Sequence, residues 1–319
     1  MIKKINFSQH ILPHAVAITA FLLVTIFFFN PLFFEKKVMV QHDIAQSIAG
    51  SKALTDHRAQ TGEEGLWASN MFSGMPAYTV SIQWSNGAVR FINQALTLYL
   101  PHPVSNIFLA FICYYIMLLV FRVRPYLAIA GALAFGLSSF MIIGLGAGHN
   151  ARIGATALVP LVMAGIHLAF SGKRLLGFGV TAAALALHLR ENHFQVTYYL
   201  IFIVLAYGLM QLIVALRENK IAELAKTVGI LIPAALLAAG SFLGQLWAVK
   251  EYTPFSIRGK HELTAVQTNV QPESGMNRDK AFAYSNGIAE PMTLLIPNFY
   301  GGSSQDYLVQ HRESETYKA

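Results

Sequence analysis

Four short polar segments carry the side chains in this sequence that could do chemistry, and each borders a strongly apolar run. The first segment holds His42 and Asp43, soon after an apolar run that ends near Phe34. A carboxylate beside a membrane surface can act as a general base on an acceptor hydroxyl group. Asp43 is therefore the candidate catalytic base.

The other three segments, at residues 146–152, 190–195 and 256–261, are rich in arginine and histidine. Arginine binds phosphate through two parallel hydrogen bonds and can stabilise it as a leaving group. Combined with a carboxylate base, such residues suit the transfer of a sugar from a lipid-linked phosphate donor. The candidate substrate-binding residues are His42, His149, Arg152, Glu191, His193 and Arg258.

These residues also have structural interpretations. Asp43 could be the N-cap of the helix that follows it, because Asp is favoured at that position. His149 and Arg152 could anchor a loop to lipid headgroups, and Arg190 could pair with Glu191. We assign no cofactor: histidine and aspartate are suitable ligands for a divalent metal, but no His-x-x-x-His spacing indicates such a site.

Membrane helices must position these side chains. The chain of 319 residues is 55% hydrophobic and only 12% charged, whereas soluble domains carry about 25% charged residues. Apolar runs of about 20 residues are typical of helices that cross a bilayer. We predict an all-α polytopic membrane protein with about seven transmembrane helices, at residues 12–34, 103–121, 126–147, 153–171, 175–190, 195–216 and 227–249.

The basic residues predict the orientation of these helices. They are scattered across loops between apolar runs, so the net charge of +7 does not indicate binding to nucleic acid. Lys and Arg concentrate in alternate short loops, which is typical of the cytoplasmic side. This pattern places the N-terminus in the cytoplasm and all four polar segments on the extracytoplasmic face.

Two longer polar regions complete the predicted organisation. The loop at 35–102 is too long to be a simple connection, and its interleaved aromatic residues suit amphipathic helices at the membrane surface. A small folded cap is the alternative. We assign residues 1–250 to the transmembrane module and 251–319 to an extracytoplasmic loop or tail, expected to begin a further region of a longer protein.

Several short motifs resemble those of the YfhO family of bacterial membrane proteins. In order along the chain they are His42-Asp43-Ile-Ala-Gln46, Trp67 with Gly74-Met-Pro76, Gly148-His-Asn-Ala-Arg-Ile153, Glu191-Asn-His-Phe-Gln-Val-Thr-Tyr-Tyr199 and Glu290-Pro-Met-Thr-Leu-Leu-Ile-Pro-Asn-Phe-Tyr-Gly-Gly302. That family is similar to the GT-C glycosyltransferases. The resemblance implies a protein of the bacterial cytoplasmic (inner) membrane, with a GT-C-like module of about seven helices and amphipathic helices after the first.

The resemblance also implies partners and roles. The donor would be a sugar linked to polyprenyl phosphate, and the acceptor an envelope glycan or lipid. Asp43 would be the base, with Arg152, His149, His193 and Arg258 at the donor phosphate. GT-C enzymes often have two adjacent acidic residues where this chain has His42 and Asp43. A second carboxylate would then come from Asp56, Glu63, Glu64 or Glu191.

Two other functions remain open from the sequence. A transporter or flippase of lipid-linked sugars would be expected to hold charged groups near the bilayer midplane, whereas here they gather at one face. A non-catalytic membrane protein of envelope assembly could use the aromatic residues of the 35–102 loop as a docking surface.

Overall fold

A computed structural model of the protein describes residues 7–81, 87–256, 278–283, 285, 287–296 and 299. It is mostly helical. The helices are α1 (Phe7–His10), α2 (Leu12–Phe28), α3 (Asn30–Phe34), α4 (His42–Thr61), α5 (Gly87–Leu96), α6 (Ser105–Val120), α7 (Pro125–Gly136), α8 (Ser139–Gly146), α9 (Asn150–Phe170), α10 (Arg174–Arg190), α11 (Phe194–Arg217), α12 (Ile221–Gly240), α13 (Leu243–Tyr252) and α14 (Arg278–Phe282). Two short strands, β1 (Trp67–Ala68) and β2 (Met75–Pro76), pair as an antiparallel hairpin.

The chain divides into two compact units, Met1–Tyr252 and Thr253–Ala319. The first unit contains helices α1 to α13 and the β-hairpin. In the second unit, α14 and two 3-10 helices, Thr253–Phe255 and Glu290–Leu294, are described. All the cavities and contacts discussed below belong to the first unit.

Helix α9 lies at the centre of the first unit, packed between α6 and α10. Glycines allow α9 and α10 to approach closely. A Cβ atom at Gly177 would lie 2.4 Å from the backbone nitrogen of Ala169, and one at Gly165 would lie 2.9 Å from the Cα atom of Thr181. On α6, the large aromatic residues Phe108 and Phe111 are fully buried, and the Phe111 ring packs against Phe21 of α2. The core therefore has two parts: a close backbone contact between α9 and α10, and a layer of large side chains on α6.

The apolar helices mark the chain as a membrane-embedded helical protein. Among the described residues, three helices (α9, α11 and α12) are long and apolar enough to cross a bilayer, or four if the bent pair α7 and α8 forms one span. Leucines such as Leu205, Leu209 and Leu236 stay exposed on α11 and α12. Exposed apolar helix surfaces of this kind suit contact with lipid.

The structure divides several of the seven predicted spans. The first span ends at Phe28 and continues as α3, where Pro31 lacks an N–H donor. The third span bends by 41° between α7 and α8, and the seventh is split between α12 and α13. Helix α6 has 16 residues, a length of about 24 Å, which is shorter than a hydrocarbon core of about 30 Å.

The bundle has two chemically different ends. At one end the α10 residue Arg174 forms an ion pair with Glu223 and donates to Thr227 Oγ1 at 3.2 Å, both on α12. We call the other end, where α6, α9 and α11 begin and α8 and α10 end, the polar end. The predicted site segments around His149 and His193 lie there.

Helices α4 and α5 belong to the predicted outer loop. Helix α4 runs from His42 to Thr61, whereas the sequence predicts a shorter helix at 45–54. It ends at Gly62, whose φ of 76° suits glycine. Helix α5 is strongly amphipathic: Val89 and Leu96 pack against the core while Phe91 is exposed. Helix α5 thus has the amphipathic character expected in this loop, and its place at a membrane surface stays a prediction.

Candidate functional site

A buried pair of amide side chains fixes the first turn of α4 to the polar end. Gln41 Nε2 donates to Asn150 Oδ1 at 2.9 Å, and Asn150 Nδ2 donates back to Gln41 Oε1 at 3.0 Å. Asn106 of α6 donates to the Asn150 carbonyl at 3.0 Å. Because unpaired buried amides are costly, this network sets the position of α4 on α6 and α9.

That anchoring brings Asp43 to His149. His149 Nε2 lies 3.1 Å from Asp43 Oδ2, and both side chains are about half exposed. The backbone makes room for this contact at Gly148, which has a φ of 91° and where a Cβ atom would lie 3.3 Å from Asp43 Cβ. The structure thus joins two predicted site segments that are more than 100 residues apart in sequence.

Asp43 does not cap α4. Gln41 occupies the N-cap position, and Asp43 lies in the first helical turn. The interpretation of Asp43 as an N-cap is therefore wrong. A negative charge in the first turn is still favoured by the helix dipole.

His193 and Arg152 lie close enough to influence each other and His149 electrostatically. His193 precedes α11, and its Nδ1 atom accepts a hydrogen bond of 3.4 Å from the Val196 N–H. Burial, and then the nearby Arg152 guanidinium, lowers the pKa of His193. We call Asp43, His149, Arg152 and His193 the Asp43 cluster. Because α4, α9 and α11 all begin here, three positive helix ends add to its attraction for anions.

The Arg152 side chain extends along α8. Its guanidinium carbon lies 5.1 Å from the centre of the Phe140 ring, and Nη2 would lie 3.0 Å from a Cβ atom at Gly144. The buried Nε atom has no hydrogen-bond partner among the described residues. One face of this guanidinium is therefore held by packing, and an N–H group still lacks an acceptor.

Glu191 takes a different direction from His193. Its carboxylate packs on Gly154 of α9, where a Cβ atom would lie 2.4 Å from Oε2. Burial raises the pKa of Glu191 to about 7, against an opposing effect of the neighbouring Arg190. Within the described part of the chain, no ion pair joins Arg190 to Glu191, so the expected pair is not formed.

The other predicted residues that the structure describes lie outside the Asp43 cluster. His42 hydrogen-bonds to Gln46 at 2.9 Å on the exposed surface of α4. Of the possible second carboxylates, Asp56 pairs with Lys52 at 2.7 Å and Glu64 with Arg58 at 2.6 Å. Arg258 lies outside the described residues.

A large polar cavity opens at the polar end beside the Asp43 cluster. Its volume is about 1040 Å³, and we call it the polar cavity. Asn106, which donates to the Asn150 backbone, is part of its wall. The side chains that line it include Arg90 from α5, His102, Asn106, Arg190, Glu191 and Gln245 from α13.

Sequence reasoning missed Arg90, His102 and Gln245. They come from distant parts of the chain and belong to no recognisable motif. The amphipathic pattern of α5 is the one signal that could have pointed to Arg90, since it separates this exposed polar side chain from the partly buried Val89.

Among the described residues, no group of three or more His, Cys, Asp or Glu side chains lies within reach of one metal ion. No protein-family model, no curated protein and no solved structure matches the chain. The resemblance to the YfhO family and to GT-C enzymes therefore stays a prediction.

Proposed function

We propose that the protein is a membrane glycosyltransferase of GT-C type. It would transfer a sugar from a polyprenyl-phosphate donor to an envelope glycan or lipid, at the extracytoplasmic face of a bacterial inner membrane. About seven spans with a cytoplasmic N-terminus are part of this proposal. The alternating distribution of Lys and Arg supports that orientation, because the basic loops between helices lie at the end opposite the Asp43 cluster.

The contact between Asp43 and His149 is the observation that carries the proposal. A half-exposed carboxylate can reach a substrate, and an imidazole 3.1 Å away can hold it in one orientation. Asp43 would take the proton from the acceptor hydroxyl as that oxygen attacks the anomeric carbon. The bond from the anomeric carbon to the phosphate oxygen would break, leaving polyprenyl phosphate and a new glycosidic bond.

The leaving phosphate needs positive charge close to Asp43. Arg152 would supply it, together with the N-terminal ends of α9 and α11. The Arg152 side chain supports this role, because its buried Nε–H has no acceptor among the described residues, and a rotation of the side chain would present it to a phosphate oxygen. Burial keeps His193 neutral at neutral pH, so it would act as a hydrogen-bond donor there.

The transferase is tested with the full chain in lipid nanodiscs, supplied with a polyprenyl-phosphate-linked hexose and an envelope extract. Release of polyprenyl phosphate is the readout. Asp43→Asn should lower the rate at least about 100-fold, because general-base catalysis contributes roughly that much. Asp56→Asn is the matched control, since Asp56 lies on the same helix but pairs with Lys52 on its exposed surface.

Three results would contradict the proposal. An Asp43→Asn protein with normal turnover would remove Asp43 as the base. Movement of the labelled donor across the bilayer without turnover would identify a flippase. A protein that neither turns over nor moves the donor would favour a non-catalytic role in envelope assembly.

A further inference from the structure

We propose that the polar cavity binds a sugar that carries a negatively charged group, with Arg90 and Arg190 holding that group. The binding can be measured without any turnover. The role of this sugar as the acceptor rests on the proposed function.

The wall of the polar cavity has the chemistry of a sugar site. Asn93, Gln94, Asn106 and Gln245 contribute amide groups, and Tyr99 contributes a phenol. Amides donate and accept hydrogen bonds, as the hydroxyl groups of a sugar do. A volume of about 1040 Å³ lies at the upper end of the range of roughly 300–1,000 Å³ for small-ligand sites, so a saccharide fits.

Two amides in this wall lack hydrogen-bond partners. Gln245 Oε1 and Asn93 Oδ1 are both buried, and neither has a partner among the described residues. The Gln245 residue as a whole is only 4% exposed. Burying an acceptor without a donor costs free energy. Sugar hydroxyls in the cavity would supply the missing donors once these amide side chains rotate toward the cavity.

The charge of the cavity selects the class of sugar. Neither Arg90 nor Arg190 forms an ion pair in the described part of the chain. Burial lowers the pKa of His102, so this imidazole is neutral at pH 7. Glu191, with a pKa raised to about 7, carries less than a full negative charge. The wall is therefore positive, and guanidinium groups bind carboxylates and phosphates well.

Distinct elements hold the two arginines. Arg90 extends from the outer-loop helix α5, whereas Arg190 ends α10, and α5 packs on α10. A charged group bound between them would join the loop helix to the bundle. Each guanidinium should contribute a charge-assisted hydrogen bond, whose loss weakens binding roughly tenfold or more.

The test uses the purified full chain in detergent and calorimetric titration with galacturonate, glucose 1-phosphate, galactose and a polyprenyl-phosphate-linked glucose. Galacturonate or glucose 1-phosphate should bind, and galactose at least tenfold more weakly. Arg90→Gln and Arg190→Gln should each weaken binding of the acidic sugar about tenfold. Arg217→Gln, which removes an exposed arginine at the other end of the bundle, is the control.

Arg190→Lys guards against a folding artefact, because it keeps the charge and should retain more affinity than Arg190→Gln. Equal affinity for galactose and galacturonate would overturn the proposal, as would an equal loss in Arg217→Gln or no binding of either acidic sugar. Binding of the lipid-linked sugar alone would make this a donor site and overturn its role for the acceptor.

The two proposals can fail separately. Asp43→Asn should bind the acidic sugar normally, because Asp43 is not part of the cavity wall. Binding that depends on the arginines, without donor turnover, would remove the transferase and keep the sugar site. Turnover that survives loss of both arginines would remove the sugar site and keep the transferase.

Discussion

The carboxylate of Glu191 occupies the space that a side chain at Gly154 would need. A Cβ atom at Gly154 would lie 2.4 Å from Oε2 and 2.8 Å from Cδ of Glu191. The absence of a side chain on α9 therefore decides where this acidic group lies, at the wall of the polar cavity.

Gly154→Ala should destabilise the protein by about 1 kcal/mol, the lower end of the range for overpacking, because the clashing atoms belong to the end of the flexible Glu191 side chain. The measurement is thermal unfolding of the purified protein in detergent. Gly208→Ala on α11, where a Cβ atom meets nothing within 4 Å, should show no loss. Adding Glu191→Ala to Gly154→Ala should restore part of the stability, and a failure to do so would contradict the contact.

Stability should fall as the pH rises through the pKa of Glu191. Burial raises that pKa from 4.5 to about 7, so the fold favours the protonated form. The stabilisation is complete below pH 4.5 and is lost as the pH passes about 7, by at most about 3 kcal/mol. Unfolding curves from pH 5 to 8 measure it, and Glu191→Gln should reduce the dependence. An equal slope in that variant would contradict the assignment.

Gly177→Ala should separate α9 from α10. Its Cβ atom would lie 2.4 Å from the Ala169 nitrogen and 2.7 Å from the Ala169 Cα atom. Backbone atoms cannot rotate away, so we expect a loss of at least about 3 kcal/mol, at or above the usual range for overpacking. Gly179→Ala, two residues further along α10 and free of contacts within 4 Å, is the control. Similar unfolding temperatures for the two variants would refute the close packing.

Gln41 and Asn150 should behave as one unit. Replacing either one by Leu leaves buried amide groups of its partner unpaired, at a cost of about 1–3 kcal/mol. Gln41 Nε2 keeps its hydrogen bond to the Leu145 carbonyl when Asn150 is replaced. The double variant Gln41→Leu/Asn150→Leu should lose less than the sum of the single variants, with a coupling of roughly 0.5–3 kcal/mol. Additive losses in chemical unfolding would show that the pair is not coupled.

The sequence predicts where helices form better than it predicts where they are interrupted. Hydropathy detects apolar runs, and the structure contains helices in all of them. Hydropathy does not detect the local breaks at Phe29, between α7 and α8, and between α12 and α13, because each one involves only one or two polar residues within a longer apolar run. Among the described residues, three helices, or four if the bent pair is one span, are long and apolar enough to cross a bilayer, so seven spans stay a prediction.

The site is predicted in part. The segments around Asp43 and His149 belong to the same end of the bundle because loops alternate between its ends, and the two side chains do meet. Glu191 and His193 are only two residues apart but separate, since Asn192 between them has a φ of 54°. Such a turn redirects the chain in a way that residue types do not reveal. Arg90 and Gln245 reach the same cavity wall only through tertiary packing.

The buried bonds between Gln41 and Asn150 join uncharged groups, so neither dissolved ions nor protons compete for them near neutral pH. The half-exposed contact between Asp43 and His149, by contrast, is screened by salt. The attachment of α4 and the charge state of its first turn are thus independent of each other. Ionic strength can tune the electrostatics around Asp43 while the helix that carries it stays docked.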